Sequence, residues 1–245
     1  MSRPGSAGPG VWVVVPAGGR GVRMGRKKQD IRVRARPVLR WTLDVLEATR
    51  EVQGIVVAVP AEDVPAWRRR LRGCRKVRAV VAGGEDRQAS VARGLAAVPS
   101  TAALILVHDG VRPCITPALV RRVVEAARAH GAAVAALPVA ETLKRGAEGW
   151  VKETVPRDGL WAIQTPQGFR AALLREAHRR AAADHVVGTD EAALVERLGA
   201  PVRLVAGLPG NLKITRPEDL PLARRVLGGA ARGGHGGRGA PGRRR

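Results

Sequence analysis

The sequence contains few cysteines and few aromatic residues. Among its 245 residues there are two cysteines, one phenylalanine and no tyrosine. The cysteines, Cys74 and Cys114, cannot build a disulfide framework, and no C-x-x-C motif or cysteine/histidine cluster predicts a zinc site. This cysteine usage fits a reducing compartment, and we therefore expect a cytoplasmic protein.

Long apolar runs are also missing. None approaches the roughly 18 residues that a membrane-spanning helix needs. The short segment before the first apolar run carries only Arg3 as a charge, which is not typical of a secretory signal. We expect no membrane partner.

Acidic residues are scarce relative to basic ones. The chain has 43 Lys and Arg against 21 Asp and Glu, a formal net charge of +22. Such a charge suits a polynucleotide. However, arginine is spread along the whole chain, and single-strand binders need aromatic platforms on which bases stack. An anionic small molecule needs a basic cleft too. We expect no specific nucleic acid, although the charge by itself is compatible with either partner.

Several catalytic motifs are absent from the sequence. After the first strand, Gly19, Gly21 and Gly25 miss the G-x-G-x-x-G spacing, and no G-x-x-x-x-G-K-[ST] occurs, so no common dinucleotide or phosphate loop is indicated there. Neither Ser90 nor Cys114 lies in a nucleophile elbow, which disfavours acyl-enzyme chemistry.

Apolar runs alternate with helical patterns along most of the chain. The predicted strands are Val11–Val15, Gly54–Val59, Val77–Val81, Ala103–His108, Ala132–Pro138 and Val202–Val205. The predicted helices are Val38–Ala48, Ala66–Arg72, Asp86–Ala97, Pro117–His130, Arg170–Ala183, Glu191–Leu198 and Pro217–Leu227. This alternation predicts an α/β fold, a mostly parallel twisted sheet with helices on both faces. Ligands then bind at the carboxyl ends of the strands.

Two helix starts carry capping signals. Thr116 precedes Pro117 at the first helical position, a favoured N-terminal arrangement. Thr215 and Glu218 have the T-x-x-E spacing of a capping box.

The chain is expected to form one domain with an arm. Residues 11–227 would be the domain, and residues 139–160 interrupt its alternation with two extended segments joined by a Gly-Ala-Glu-Gly turn. Such a hairpin would project and embrace a partner subunit. Residues 1–10 and the basic, low-complexity residues 228–245 are expected to be disordered.

A glycine-rich loop follows the first strand. Pro16-Ala17-Gly18-Gly19-Arg20-Gly21-Val22-Arg23-Met24-Gly25 comes directly after a β-branched run typical of a strand buried on both faces. Bare backbone amides and arginines after a strand suit a polyphosphate. An ordinary surface turn is the alternative.

Polar residues follow other strands as well. Asp109 is well placed to hold Mg²⁺ on a phosphate substrate, and a turn-forming aspartate is the alternative. His108 has no nearby serine or cysteine partner and is interpreted as structural. The loop from Gly83 to Ser90 opens a helix, so its amides could bind a base or ribose, or could form an ordinary helix start.

Taken in order, these segments resemble the 2-C-methyl-D-erythritol 4-phosphate cytidylyltransferases of the non-mevalonate isoprenoid pathway. The matching stretches are PAGGRGVRMG, KKQ, RPVLRWTL, GGEDRQASV, VHDGVRPCITP, PVAETLKR, ETVPRDGLWAIQTPQGF, TDEAALVERLG and NLKITRPEDL. They span residues 11–227 in the family's order and approximate spacing.

The resemblance implies a Rossmann-like nucleotidyltransferase fold, a homodimer that exchanges the arm, and transfer of a cytidylyl group from CTP to 2-C-methyl-D-erythritol 4-phosphate. It also implies Mg²⁺ as the cofactor, or Mn²⁺ or another divalent metal. The implied catalytic residues are Arg23 and Lys28. The implied nucleotide-binding residues are Ala17, Gly18, Gly19, Gly21, Gly84, Glu85, Ser90 and Gly110. The implied acceptor-phosphate residues are Asp109, Arg112, Thr142, Arg157, Thr165 and Lys213, with Asp109 also on the metal.

One departure from the family concerns the segment after the glycine loop. The loop before Lys28 is about two residues shorter than usual, and Asp30 and Ile31 stand where an aromatic and a leucine are common. Lys27 or Arg26 could therefore take the role of Lys28.

Three alternative functions stay open: a cytidylyltransferase for ribitol 5-phosphate or another polyol phosphate, a non-catalytic homologue, and a basic nucleic-acid-binding protein.

Overall fold

The computed structural model describes residues 10–18 and 30–232, and the side chains of residues 229–232 are not described. The predicted glycine-loop residues Gly19, Gly21, Arg23 and Lys28 lie outside these ranges.

Eleven strands and seven α-helices are found in the described ranges. The strands are β1 (Val11–Pro16), β2 (Arg32–Val33), β3 (Arg36–Pro37), β4 (Val52–Val59), β5 (Val77–Ala82), β6 (Leu104–Val107), β7 (Ala132–Pro138), β8 (Leu143–Ala147), β9 (Trp150–Val155), β10 (Trp161–Arg170) and β11 (Arg203–Ala206). The helices are α1 (Val38–Ala48), α2 (Val64–Arg70), α3 (Arg87–Ala96), α4 (Pro117–His130), α5 (Ala171–Ala183), α6 (Glu191–Glu196) and α7 (Asp219–Arg232).

A seven-stranded sheet forms the centre of the fold. Its strand order is β11-β7-β10-β6-β1-β4-β5. Strand β10 pairs antiparallel with both β6 and β7, whereas the other pairs in this sheet are parallel. The predicted fold class, a mostly parallel sheet with helices on both faces, is therefore confirmed.

Alternate residues of the buried strands pack on opposite faces of the sheet. Val13 and Val15 join a cluster with residues of α1, α2 and α4, while Val14 joins a second cluster with residues of α3, α5 and α6. Helix α3 approaches β1 so closely that a Cβ at Gly94 would lie 2.4 Å from Val14 Cγ1. Only glycine fits at that contact.

A third, smaller cluster attaches the last helix to the domain. Ile31 and Val33 pack there with Ile214 and with Leu227 of α7. We expected the last helix to span Pro217–Leu227, but α7 spans Asp219–Arg232. The Gly-Gly pair that suggests a helix end is followed by two alanines, which are strong helix formers.

The capping-box prediction was wrong in its acidic partner. Asp219 Oδ2 accepts hydrogen bonds from Thr215 N at 2.6 Å, Thr215 Oγ1 at 2.9 Å and Arg216 N at 2.8 Å. Helix α7 begins at Asp219, three residues later than a cap at Thr215 implies. The side chain of Asp219, not that of Glu218, accepts from the free amides. The cap at Thr116 is present, with its side chain accepting from Leu119 N at 3.2 Å.

Strand β10 was missed because its sequence contains both Pro166 and Gly168, residues that usually argue against a central strand. Its pairing with β7 is interrupted between Ile163 and Gln167. Such irregularities turn side chains away from the regular alternation. This one places Thr165 beside the carboxyl end of β6.

The predicted hairpin is present as β8 and β9, which pair only with each other among the described strands. Most of its side chains are exposed, including those of Trp150 (75%) and Val151 (65%) near its tip. No helix in the described ranges is long and apolar enough to cross a membrane.

Candidate active site

The carboxyl ends of β1, β4, β5 and β6 meet at one edge of the sheet. Backbone hydrogen bonds join the segments that leave these strands: Ala17 N donates to Ala58 O at 2.7 Å, Gly83 N to Val59 O at 2.7 Å and Gly110 N to Pro16 O at 3.2 Å. The glycine loop, the Gly83–Ser90 loop and the Asp109 segment therefore start side by side.

Several predicted nucleotide-binding residues are brought together here. A Cβ at Gly18 would lie 3.3 Å from Ser90 Oγ, so the first part of the glycine loop lies against helix α3. Ser90 Oγ accepts from Gly84 N at 3.0 Å and donates to Asp86 O at 2.8 Å, which fixes the loop before α3. The Glu85 side chain is exposed beside it.

Gly84 has no room for a side chain, and Gly110 is closely packed. A Cβ at Gly84 would lie 2.3 Å from Ala89 Cβ, and a Cβ at Gly110 would lie 3.0 Å from Leu39 Cδ1 and 3.1 Å from Ala17 Cβ. Gly110 N also donates to Pro16 O at the end of β1. This contact and the close packing at Gly110 hold the preceding residue, Asp109, near the end of β1.

Asp109 is buried and lies among three cations. Arg87 Nε is 3.0 Å from Oδ1, Lys213 Nζ is 2.9 Å from Oδ2 and Arg112 Nε is 3.6 Å from Oδ2. Burial alone would raise the pKa of the Asp109 carboxyl, but Arg87, Lys213 and Arg112 outweigh burial and hold that pKa well below its usual range. Asp109 is therefore ionised at every working pH.

These side chains border a pocket of about 270 Å³. Residues of β10 and of the segment before α6 complete its wall. The lining consists of Arg87, Asp109, Arg112, Ile163, Gln164, Thr165, Gln167, Thr189, Asp190 and Lys213. Four predicted acceptor-site residues, Asp109, Arg112, Thr165 and Lys213, thus share one pocket.

The other two predicted acceptor residues lie elsewhere in this chain. Thr142 and Arg157 are exposed on the arm, and Arg157 Nη1 donates to Ala140 O within it. Neither is among the residues that border the pocket.

His108 fixes the orientation of the Thr165 hydroxyl. Thr165 Oγ1 accepts from Asp109 N at 3.1 Å and lies 3.0 Å from His108 Nδ1, while His108 Nε2 lies 3.3 Å from Arg112 O. A carbonyl can only accept, so Nε2 carries the proton and Nδ1 accepts from the threonine. The hydroxyl proton of Thr165 is therefore engaged, and its oxygen can only accept from a ligand in the pocket.

Other polar residues that support the pocket were not singled out from the sequence. Asn211 Nδ2 donates to Thr165 O at 2.8 Å and to Gln164 Oε1 at 3.1 Å, and Arg112 Nη1 donates to Asn211 O at 2.8 Å. Asn211 stands two residues before Lys213 in the quoted NLKIT segment, which was the available signal.

The arrangement defines a class of protein: an α/β protein with a basic pocket at the carboxyl edge of a mostly parallel sheet. The sequence model of IspD, 2-C-methyl-D-erythritol 4-phosphate cytidylyltransferase, matches residues 11–229. The chain belongs to this family.

Named relatives agree with the family match. A protein of Thermosynechococcus vestitus named 2-C-methyl-D-erythritol 4-phosphate cytidylyltransferase is 45% identical over 88% of this chain and 94% of its own length. One of the same name from Geobacter metallireducens is 44% identical over 89% of this chain and 97% of its own. The bifunctional enzyme IspD/IspF of Anaeromyxobacter dehalogenans is 46% identical, with 87% of this chain matching 56% of that protein.

Solved structures share the fold. The 2-C-methyl-D-erythritol 4-phosphate cytidylyltransferase of Thermus thermophilus has a TM-score of 0.76 and 41% identity, over 89% of this chain and 98% of that one. The 4-diphosphocytidyl-2C-methyl-D-erythritol synthase of Anaerococcus prevotii has a TM-score of 0.80 and 30% identity, over 90% of this chain and 97% of that one.

Because two histidines are buried, we predict that acid destabilises the protein. Burial lowers the pKa of His108 and of His178 from 6.5 to about 4. Between pH 6.5 and 4 the unfolded chain binds more protons than the folded one, so stability falls as the pH falls. We expect each histidine to cost about 1–2 kcal/mol of unfolding free energy between pH 7 and pH 5.

Denaturant unfolding at both pH values measures this loss. His178→Gln should shrink the difference between pH 7 and pH 5, whereas His130→Gln, at an exposed position of α4, should change it less. An equal pH difference in the wild type and both variants would contradict the assignment.

Proposed function

We propose that this chain transfers the cytidylyl group of CTP to 2-C-methyl-D-erythritol 4-phosphate, with 4-diphosphocytidyl-2-C-methyl-D-erythritol and pyrophosphate as products. The observation that carries the proposal is the pocket in which Arg112 and Lys213 surround Asp109, next to Gly18, Gly84 and Ser90. The names of the relatives supply the substrates.

The chemistry needs no general base. A phosphate monoester dianion is already a nucleophile, and its oxygen attacks the α-phosphorus of CTP. A new P–O bond forms while the bond from the α-phosphorus to the bridging oxygen breaks, and pyrophosphate leaves with that electron pair. The barrier comes from repulsion between anions and from charge that develops on the phosphoryl oxygens, so positioning and cations supply most of the catalysis.

The described residues have distinct roles in this proposal. Lys213 and Arg112 bind the acceptor phosphate, and Asp109 keeps these cations close together before substrate arrives. Thr165 accepts a hydrogen bond from an acceptor hydroxyl, because its own proton is directed to His108. Outside the described ranges, Arg23 and Lys28 are proposed to stabilise the transition state, and Gly19 and Gly21 to bind the triphosphate.

Mg²⁺, or another divalent metal such as Mn²⁺, is proposed as the cofactor. No group of three His, Cys, Asp or Glu side chains suited to a metal is found in residues 10–18 and 30–232. Asp109 is the one pocket carboxylate that we assign to the metal. Most of the metal ligands would therefore be phosphate oxygens of CTP and water, a ligand set that Mg²⁺ commonly takes. Bound there, the metal would neutralise phosphate charge.

The arm supports a proposal for the homodimer. Trp150 and Val151 are adjacent apolar residues near the tip of the arm and are 75% and 65% exposed, which favours burial against a partner. We propose that the arm reaches the acceptor pocket of the second subunit, where Thr142 and Arg157 contact methylerythritol phosphate. The cytoplasmic location stays a prediction.

Pyrophosphate release with different acceptors tests the proposed reaction. With CTP and Mg²⁺, we expect release with 2-C-methyl-D-erythritol 4-phosphate and little with ribitol 5-phosphate. Pyrophosphate release with ribitol 5-phosphate alone would agree with the proposed nucleotide site and would contradict the proposed acceptor. No release with either from folded dimeric protein would contradict a catalytic function.

Mixing two inactive variants tests the exchanged arm. Asp109→Asn damages the pocket, and Arg157→Ala damages the arm. If arms are exchanged, a mixed dimer contains one site with an intact pocket and an intact partner arm. An equal mixture allowed to exchange subunits should therefore recover roughly a quarter of the wild-type activity, since half of the dimers are mixed. No recovery, with subunit exchange verified by mass spectrometry, would contradict the exchange.

A further inference from the structure

Arg87 joins two acidic side chains that come from distant parts of the chain. It is the first residue of α3, and its Nε donates to Asp109 Oδ1 at 3.0 Å. Its Nη1 donates to both carboxylate oxygens of Glu191, at 2.9 and 2.8 Å. The guanidinium thus links the acceptor pocket to the beginning of α6.

Glu191 is almost completely buried, with 1% of its surface exposed. Burial raises the pKa of the Glu191 carboxyl, and the Arg87 guanidinium opposes that rise. On Arg87 itself burial would lower the pKa, but Glu191 and Asp109 outweigh it and raise that pKa. A buried charge is costly unless it is paired, so the position of Glu191 depends on Arg87.

The two oxygens of Asp109 have different partners. Arg87 occupies Oδ1, while Lys213 Nζ lies 2.9 Å from Oδ2 and Arg112 is also on that side. Arg87 is also held by Glu191, so it is less free to leave than Lys213, which is 39% exposed and is paired with Asp109 in the described part of the chain. Arriving phosphate can therefore draw Lys213 away while Asp109 stays on Arg87.

We propose that Glu191 and Arg87 are positioning residues of the acceptor site. Glu191 fixes Arg87, Arg87 fixes one oxygen of Asp109, and the other oxygen then directs Lys213 and Arg112 toward the pocket. This inference rests on the proposed function, because it deepens the role of the same pocket. It assigns the pair to acceptor binding and alignment, because the Arg87 side chain borders the acceptor pocket although its backbone belongs to the Gly83–Ser90 loop.

Loss of the Glu191 charge would loosen this chain of contacts. Arg87 would lose its bidentate partner and could turn into the pocket, where its side chain is already 27% exposed. Asp109 Oδ1 would then compete with Oδ2 for Lys213. Misplacement of reacting groups by about 1 Å can cost two orders of magnitude in rate.

Steady-state kinetics of Glu191→Gln and Arg87→Lys test the proposal. Glutamine keeps the size of Glu191 without its charge. Lysine keeps the charge of Arg87 but cannot hold both carboxylates with the fixed geometry of a guanidinium. For each variant we expect kcat/KM for methylerythritol phosphate to fall by a factor of about 10–100, with KM for CTP nearly unchanged.

The double variant shows whether the two residues act through each other. If they form one unit, Glu191→Gln combined with Arg87→Lys should be little worse than the worse single variant. If the factors by which the two single variants lower kcat/KM multiply in the double variant, a shared role is contradicted. Glu196→Gln, at an exposed position of the same helix, is the matched control and should behave as the wild type.

Two further measurements, acceptor binding and the melting temperature, distinguish a positioning role from a purely structural one. Calorimetric titration of the variants with methylerythritol phosphate should show weakened binding, whereas a purely structural role would lower the melting temperature and impair CTP and acceptor parameters together. If Glu191→Gln fails to fold, Arg87→Lys carries the test. If the wild type turns over and both variants match Glu196→Gln, the positioning role is wrong; if the wild type itself shows no turnover, the proposed function fails instead.

Discussion

The buried carboxylate of Asp109 is the interaction on which the site depends. An anion pocket needs several cations close together, and like charges repel unless an anion lies between them. Asp109 supplies that anion for Arg87, Arg112 and Lys213. In the proposed function the pocket is thus assembled before substrate arrives, and a phosphate dianion replaces the carboxylate as the partner of Lys213. Such preorganisation lowers the cost of gathering charge in the transition state.

The fold supplies this arrangement by inserting one antiparallel strand into a parallel sheet. Strand β10 lies between β6 and β7, and its irregular pairing turns Thr165 toward Asp109. The strand follows directly after the arm, so one continuous segment leaves the pocket region, forms the projecting hairpin and returns to build the pocket wall.

Much of the fold was predictable because its signals are local. Helix α4 has the predicted bounds, since Thr116, Pro117 and the apolar spacing mark its start and buried face within one short segment. Asp109 was also predictable, as a carboxylate at the end of a buried strand. Arg87 and Glu191 were not, because 104 residues separate them and nothing in either segment indicates the other. Strand β10 was missed because a sequence with proline and glycine in its middle favours a loop, and only pairing with both neighbours overrides that preference.

A crystal structure with a non-hydrolysable CTP analogue and methylerythritol phosphate would test the central claim most directly. We predict that the acceptor phosphate lies within hydrogen-bond distance of Lys213 and Arg112, with Arg87 still bonded to Glu191 and to Asp109. An acceptor phosphate bound away from these cations, or an Asp109 carboxylate that has left Arg87, would contradict it.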